Sequence, residues 1–194
     1  MAIQRLEKDG YGQIELNQVA WRRDGRIEAQ CRLSTEEFSD SKGNDKAENA
    51  MLLAVDNVTR TLYKATTAHV AAGLPIGINY STEKIYDERN PGLKNFALGT
   101  DEFLPRVGYP DGASDKFTTN NIAYDTATYP EIEDFEAALD DLVATPLYAG
   151  INDAAPGILT IGNGIPAIGP AFRVTQKTTM PDGQLAVQLQ SIRA

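Results

Sequence analysis

Near its C-terminal end the chain alternates between apolar and polar positions in two stretches, 171–179 and 184–192. This period of two is typical of β-strands that bury one face. The apolar residues that would share the buried face are Phe172 and Val174 in the first stretch and Leu185, Val187 and Leu189 in the second. The connection contains Pro181, which presets a turn φ angle, and Gly183, which can adopt a positive φ. The pattern therefore predicts a β-hairpin that closes a β-rich domain.

Two registers are possible for this hairpin. A three-residue loop closed by a bulge would pair Met180 with Gln184. A loop one residue longer would pair Thr179 with Gln184 instead. The longer loop would also place Val174 opposite Leu189, with both side chains on the apolar face. Because a shift of one residue moves every side chain of a strand to the other face, the apolar pattern favours the longer loop.

The N-terminal part of the chain carries weaker signals. Ile14 and Leu16 alternate with polar residues in a short segment that follows two glycines. We therefore interpret residues 1–18 as an extended arm or an edge strand. The remainder, 19–194, is predicted to form a single β-rich domain.

Between this arm and the middle of the chain, turn signals separate short apolar runs. An Asp-Gly dipeptide at 24–25 favours a second hairpin with arms at about 19–23 and 26–33. The polar stretch 34–48 has no periodicity that would bury a face, so we expect an exposed loop. Four later stretches are interpreted as strands: 50–55, 58–63, 74–80 and 117–124. The predicted fold is mainly β (α+β), with short antiparallel strands and hairpins.

One amphipathic helix is predicted near 131–144. Pro130 suits a first helical position, because its missing N–H would have no partner there. Acidic residues in the first turn match the helix dipole. Six apolar residues then form one stripe at helical spacing: Ile132, Phe135, Ala138, Leu139, Leu142 and Val143. The residue before Pro146 avoids the α region, which ends the helix. The stripe indicates a helix that packs on a sheet.

Composition narrows the classes of partner. The net charge is −9 and the isoelectric point is about 4.6. Since an acidic surface repels nucleic acid and anionic lipid, we expect neither as a partner. No apolar run approaches the ~20 residues that span a bilayer. The first ten residues are too polar for a signal peptide, so we expect synthesis in a cytoplasm. A lone cysteine, Cys31, excludes an internal disulfide.

Residues that usually carry catalysis are scarce. His69 is the only histidine, and no acid lies near it in the sequence, so we interpret it as a structural or surface residue. One His and one Cys do not supply a closed zinc site. The glycine-rich stretch 162–166 lacks the Lys-Ser/Thr of a phosphate-binding loop. These observations agree with a protein that is not an enzyme and that uses no cofactor and no metal, but they do not by themselves establish it.

Two alternatives to this prediction stay open. A carboxylate-based glycosidase would need two acids that face each other across a cleft, and the sequence does not place them. Calcium could be held by Asp111 and Asp115, or by Asn44 and Asp45, with backbone carbonyls, although neither pair matches an EF-hand loop.

Trp21, Arg22 and Arg23 form the one cluster of aromatic and cationic residues in this acidic chain. Tryptophan and arginine are enriched among the residues that dominate binding energies, so the cluster could anchor the protein on a partner. Alternatively, Trp21 lies in the core and the arginines face solvent. The two interpretations are nearly balanced, with the second slightly favoured.

Four segments, 10–30, 47–56, 91–96 and 178–192, resemble small virion structural proteins of tailed phages, of the head decoration or head-associated type. Their sequences are GYGQIELNQVAWRRDGRIEAQ, AENAMLLAVD, PGLKNF and TTMPDGQLAVQLQSI. The resemblance implies a non-enzymatic protein that is present in many copies on a phage capsid.

From this resemblance we expect a capsid decoration protein that binds the major capsid protein and stabilises the lattice at the virion surface. Homotrimers are plausible at three-fold lattice positions. The candidate capsid contacts are Ile14, Leu16, Trp21, Arg22 and Arg23. The alternative is a tail, baseplate or receptor- or carbohydrate-binding virion protein, for which the eight tyrosines would suit a binding surface.

Overall fold

The computed structural model describes residues 2–15, 19, 27–81, 92–110, 112–113 and 115–193. Within these ranges the fold is mainly β, as the sequence predicts. The fifteen strands are β1 Ile3–Arg5, β2 Ile27–Glu28, β3 Arg32–Leu33, β4 Ala47–Glu48, β5 Leu52–Asp56, β6 Thr61–Lys64, β7 Ile76–Asn79, β8 Ala97–Leu98, β9 Val107–Gly108, β10 Lys116–Thr119, β11 Ile122–Asp125, β12 Tyr148–Gly150, β13 Leu159–Gly162, β14 Ala171–Thr179 and β15 Leu185–Arg193. The helices are α1 Thr67–Ala71 and α2 Ile132–Asp140, with a 3-10 helix at Leu93–Asn95.

These strands form three sheets. A seven-stranded sheet has the order β1-β11-β13-β12-β14-β15-β10, and a six-stranded sheet has the order β2-β9-β7-β5-β6-β3. The strands β4 and β8 form a separate pair. Most neighbours are antiparallel, but β11 runs parallel to β13 and β3 runs parallel to β6. Both β11 and β13 therefore have their carboxyl ends on the same side of the seven-stranded sheet, where the two strands finish next to each other.

The main core contains residues from both large sheets. Leu52 and Ile78 of the six-stranded sheet belong to the same buried cluster as Phe117 and Phe172 of the seven-stranded sheet. The next residue along β5, Leu53, belongs to a second buried cluster. Because β5 buries both faces, its sequence is a continuous apolar run without alternation. The predicted strand at 50–55 is thus confirmed as a central strand.

The C-terminal hairpin combines both registers that the sequence allows. At the turn the N–H of Met180 donates to the carbonyl of Gln184 over 2.8 Å, and Gly183 has a φ of 86°. This is the short loop, so the predicted pairing of Thr179 with Gln184 is wrong. A β-bulge between Val174 and Gln176 then shifts the ladder by one residue.

Beyond this bulge Val174 lies opposite Leu189, as the apolar pattern predicts. Both side chains are buried. The extra residue of β14 is Thr175, whose hydroxyl donates to the carbonyl of Gln188 over 3.1 Å. The bulge therefore reconciles a favourable turn with an apolar face that lies one residue out of phase with it.

Helix α2 confirms the predicted amphipathic helix but is shorter than the predicted span. Glu131 is its N-cap in a capping box with Asp134, so Pro130 lies outside the first turn. Phe135 and Leu139 are buried against the sheet. Val143 is 95% exposed and therefore does not belong to the buried stripe. The helix ends at Asp140, before the apolar spacing does.

Three local predictions were wrong in detail. The expected arm at 26–33 is divided between β2 and β3, which lie at opposite edges of the six-stranded sheet. The expected strand at 117–124 is divided into β10 and β11. The stretch 34–48 is not simply exposed, since Phe38 is 4% exposed and its last two residues form β4. The residues of the expected turn at 24–25 lie outside the described part of the chain.

The N-terminal residues 2–15 lie against the seven-stranded sheet. Strand β1 pairs with β11 at one edge of this sheet. At the opposite edge Ile14 forms a bridge with Thr119 of β10. Leu6 and Ile14 are both almost completely buried. This segment is thus built into the same core as the strands that follow it.

Candidate functional site

The five sequence-predicted contact residues do not form a described surface. Ile14 has no exposed area, so its side chain contributes to the core. The other four, Leu16, Trp21, Arg22 and Arg23, lie outside the described residues. The model therefore gives Ile14 a packing role, and capsid contact through the other four stays a prediction.

His69 lies at the start of the short helix α1. Its Nδ1 is 3.0 Å from the hydroxyl of Thr66, the N-cap residue, and its ring stacks on Tyr63 at 5.5 Å. An acid does approach this region: Asp153 accepts a hydrogen bond of 2.7 Å from the N–H of Thr67. This acid comes 84 positions after His69 in the chain, so the sequence did not show that the two lie in one region.

A cleft of about 500 Å³ lies beside β12 and β13, and we call it the β12–β13 cleft. Its defining residues come from three strands and the loops that follow them. They are Asp125, Tyr129, Tyr148, Asn152, Thr160 and Asn163. A volume of this order falls within the range of small-molecule sites.

The cleft opens on the face of β12 and β13 that is turned away from the main core. Leu159 and Ile161 of β13 are buried in that core, whereas the intervening Thr160 is partly exposed. Tyr148 lies opposite Gly162 in the ladder, and Gly150 lies opposite Thr160. The strand alternation thus directs the aromatic and hydroxyl side chains to the outer face.

Glycines shape the floor of the cleft. No atom lies within 4 Å of where a Cβ on Gly162 would be, so the space beside Tyr148 is open. At Gly150 a Cβ would lie 2.4 Å from the Cγ of Pro166. The loop 163–170 therefore approaches β12 so closely that a side chain at position 150 would clash with it.

Hydrogen bonds hold both rims. The hydroxyl of Tyr129, which burial keeps protonated by raising its pKa, donates to Oδ1 of Asn163 over 2.9 Å. On the opposite side the carboxylate of Asp153 accepts from both the N–H and the hydroxyl of Thr67. These two contacts fix the loops after β13 and β12 before any ligand binds.

The charge of the cleft is negative. Its lining includes Asp125 and Asp153 and no lysine, arginine or histidine among the described residues. The hydrogen bonds from the Thr67 hydroxyl and amide lower the pKa of Asp153, so this carboxyl stays ionised at ordinary pH. A glycosidase needs one carboxyl that stays protonated as a general acid, and Asp153 is the opposite case. The arrangement is suited to binding.

A second polar cluster anchors the N-terminal segment; we call it the Glu48 cluster. Glu48 accepts from Nη1 of Arg5 over 2.9 Å and from the N–H of Gly12 over 2.7 Å. The same arginine donates to Oδ1 of Asn121 over 2.9 Å and pairs with Glu7. Burial raises the pKa of Glu7 to about 7, against the opposing effect of Arg5.

Sequence reasoning missed both groups of residues. The acids and amides of the β12–β13 cleft are spread from Asp125 to Asn163, and the Glu48 cluster spans Arg5 to Asn121. The available signals were polar residues at strand ends and a glutamate at the end of a polar stretch, just before an apolar run. Neither signal carries information about which residues meet in space.

Comparisons with protein-family models, curated proteins and solved structures found no match for this chain. Among the described residues, no three His, Cys, Asp or Glu side chains form a group that could hold a metal ion. None of the helices in the described ranges has the length and hydropathy of a membrane span.

Proposed function

We propose that this chain is a non-enzymatic structural protein of a phage virion. In this role it is a capsid decoration protein, which binds the major capsid protein in many copies and stabilises the lattice. Each copy would bury a modest area, and the many copies would act together through avidity on the lattice.

The observation that carries the proposal is the meeting of the four segments that resemble head-associated proteins. Residues 10–13 of the first segment contact each of the other three. The N–H of Gly12 donates to Glu48, and the N–H of Tyr11 donates to the carbonyl of Lys94 over 2.7 Å. The amide of Gln13 donates to Asp182 of the hairpin turn over 2.9 Å. The four segments that carry the resemblance, although far apart in sequence, thus meet around residues 10–13, and the proposal builds on this arrangement.

Copy number tests the proposal directly. Quantitative mass spectrometry of purified phage particles should give a ratio to the major capsid protein near one to one, or one trimer per capsid three-fold position. A handful of copies per particle would favour the alternative, a tail, baseplate or receptor-binding protein. Absence from particles would overturn both virion roles.

A binding assay on capsids that lack the protein tests the contact residues. The triple variant Trp21→Ala, Arg22→Ala, Arg23→Ala should bind less while it keeps the wild-type unfolding transition. The matched control is the double variant Arg32→Ala, Arg173→Ala, which removes two exposed arginines elsewhere. Equal binding by the triple variant and the control would exclude the 21–23 cluster as the anchor.

A further inference from the structure

We propose that the β12–β13 cleft binds a neutral saccharide unit of a glycan. This activity is separate from capsid attachment, which we assign to other residues. Four features of the cleft support saccharide binding: its size, the ring of Tyr148, its hydrogen-bonding groups and its negative charge.

The cleft is large enough for a sugar, and its loops are already ordered without a ligand. A cleft of about 500 Å³ has room for one or two sugar rings. Its rims are held by the Tyr129–Asn163 and Thr67–Asp153 hydrogen bonds. A site whose loops are already ordered loses less conformational entropy when a ligand binds, which matters for a small ligand with few contacts.

The aromatic surface is Tyr148. This side chain is partly exposed on the outer face of β12. On the β13 side its cross-strand neighbour Gly162 has no side chain to cover it, and on the β14 side its neighbour is the exposed Arg173. The open space above Gly162 lies within the cleft. A tyrosine ring offers a rigid apolar surface with a polar tip, which suits the C–H face of a sugar.

Polar groups around the ring match hydroxyls, which both donate and accept hydrogen bonds. The Oδ1 of Asn163 accepts the hydrogen bond from Tyr129, so the group that Asn163 offers to a ligand is its Nδ2 donor. The Oδ1 of Asn152 accepts from the N–H of Ala154 over 3.0 Å, so Asn152 likewise offers its Nδ2 donor. Asp125 uses Oδ1 for the N–H of Ala127, and its other carboxylate oxygen can accept. The cleft is therefore lined by both donors and acceptors.

Charge decides between neutral and ionic ligands. Two carboxylates line the cleft and no described lining residue is a cation, so a phosphate or an acidic sugar would be repelled. Arg173, which lies opposite Tyr148 in the β14 ladder, offsets only one of these two charges. A neutral polyhydroxylated ligand avoids this repulsion and uses the same carboxylate as an acceptor. The cleft therefore fits neutral hexoses and N-acetylhexosamines better than anionic ligands.

The test is an NMR titration of the full chain with glucose, galactose, rhamnose, N-acetylglucosamine and N-acetylgalactosamine. We expect at least one of them to shift amide signals of β12, β13 and loop 163–170, with a dissociation constant of about 1 mM or lower. Inorganic phosphate and N-acetylneuraminic acid should not bind there. The proposal fails if none of the neutral sugars shifts these signals, or if the anionic probes bind more tightly.

Two variants, Tyr148→Ala and Gly162→Val, test whether binding can be lost while the fold stays intact. Tyr148→Ala removes the ring and should weaken binding roughly tenfold or more. At Gly162 an added Cβ would meet no atom within 4 Å, so Gly162→Val should fill the open space of the cleft while it leaves the unfolding transition close to that of the wild type. Tyr148→Phe keeps the ring and should retain most of the affinity. Tyr11→Ala, a partly exposed tyrosine outside the cleft, is the control.

Binding that survives both Gly162→Val and Tyr148→Ala would place the sugar elsewhere and overturn the assignment. This result would say nothing against capsid attachment, since the decoration role is measured by copy number in particles. The two proposals can therefore fail independently.

Discussion

The C-terminal hairpin and the N-terminal segment 2–15 belong to the same sheet but are held by different forces. In the hairpin, Phe172, Val174 and Leu189 are buried among apolar neighbours. The N-terminal segment has two buried apolar anchors, Leu6 and Ile14, and is otherwise held by the β1–β11 ladder and by hydrogen bonds and ion pairs, among them those of the Glu48 cluster. Apolar packing follows a period in the sequence, whereas a polar cluster depends on partners that can lie anywhere in the chain.

The two regions also meet. Oε1 of Gln184, in the hairpin turn, accepts from the N–H groups of Lys8 and Asp9 over 3.0 and 3.2 Å. The Gln13 amide reaches Asp182 in the same turn. The register of the turn is therefore linked to the N-terminal segment as well as to the apolar face. This link is a physical reason for a short turn and a separate bulge within one hairpin.

The largest effect should come from the apolar region. Phe172 is fully buried and makes an edge-to-face contact with Phe117 at 5.3 Å. Phe172→Ala should lower the free energy of unfolding by about 3–5 kcal/mol, because it removes a ring and leaves a cavity. Urea denaturation measures this change. Val58→Ala, at a position 94% exposed, should stay within about 0.5 kcal/mol. Similar losses for both variants would contradict the assigned core.

Removal of one charge from the Glu48 cluster should have the next largest effect. Glu48→Gln keeps the shape but replaces a carboxylate that pairs with Arg5 and Gly12, so we expect a loss of about 2 kcal/mol. The control is Asp45→Asn, which breaks an ion pair with Lys64 at a side chain 61% exposed. This control should cost less than about 1 kcal/mol. If the two losses are equal, the cluster does not hold the N-terminal segment in the way we describe.

Glu7 makes the N-terminal region sensitive to pH. A carboxyl with a folded-state pKa of about 7, above its ordinary value of about 4.5, binds more protons in the folded chain than in the unfolded chain. The free energy of unfolding should therefore fall as pH rises from about 4.5 to about 7. Glu7→Gln has no carboxyl to titrate at this position, so it should lose most of this fall, roughly 1–3 kcal/mol.

Denaturation curves at pH values of about 4.5, 6 and 8 would measure this difference, because this range includes both the ordinary and the folded-state pKa of Glu7. The exposed carboxyl variant Glu36→Gln is the control and should follow the wild-type curve. A Glu7→Gln protein whose stability changes with pH as steeply as the wild type would show that another group is responsible.

The smallest effect concerns the hairpin turn. Gly183 has a φ of 86°, so Gly183→Ala should cost about 1 kcal/mol of strain in the left-handed region. Gly164→Ala is the matched control, since its Cβ would meet no atom within 4 Å and its φ lies outside that region. Thermal unfolding of both variants gives the comparison. Equal midpoints would argue against the short loop at 181–183.

Local patterns in the chain were sufficient for the class of fold, the central strand at 50–55, helix α2 and the pairing of Val174 with Leu189. Each of these follows from the spacing of apolar residues along one segment, and such spacing survives in any compact arrangement. The end of helix α2 did not follow, because Val143 continues the apolar spacing after the helix has lost its contact with the sheet.

The bulge at Thr175, the opposite edge positions of β2 and β3, the Glu48 cluster and the β12–β13 cleft arise from the tertiary structure. Each depends on which distant segments become neighbours. The position of a polar residue in the sequence follows no period from which its partner could be predicted. Apolar burial is nonspecific and can be read locally, whereas hydrogen bonds and ion pairs are directional and need both partners in place. The polar groups of the β12–β13 cleft are of the second kind, so only the tertiary structure brought them together.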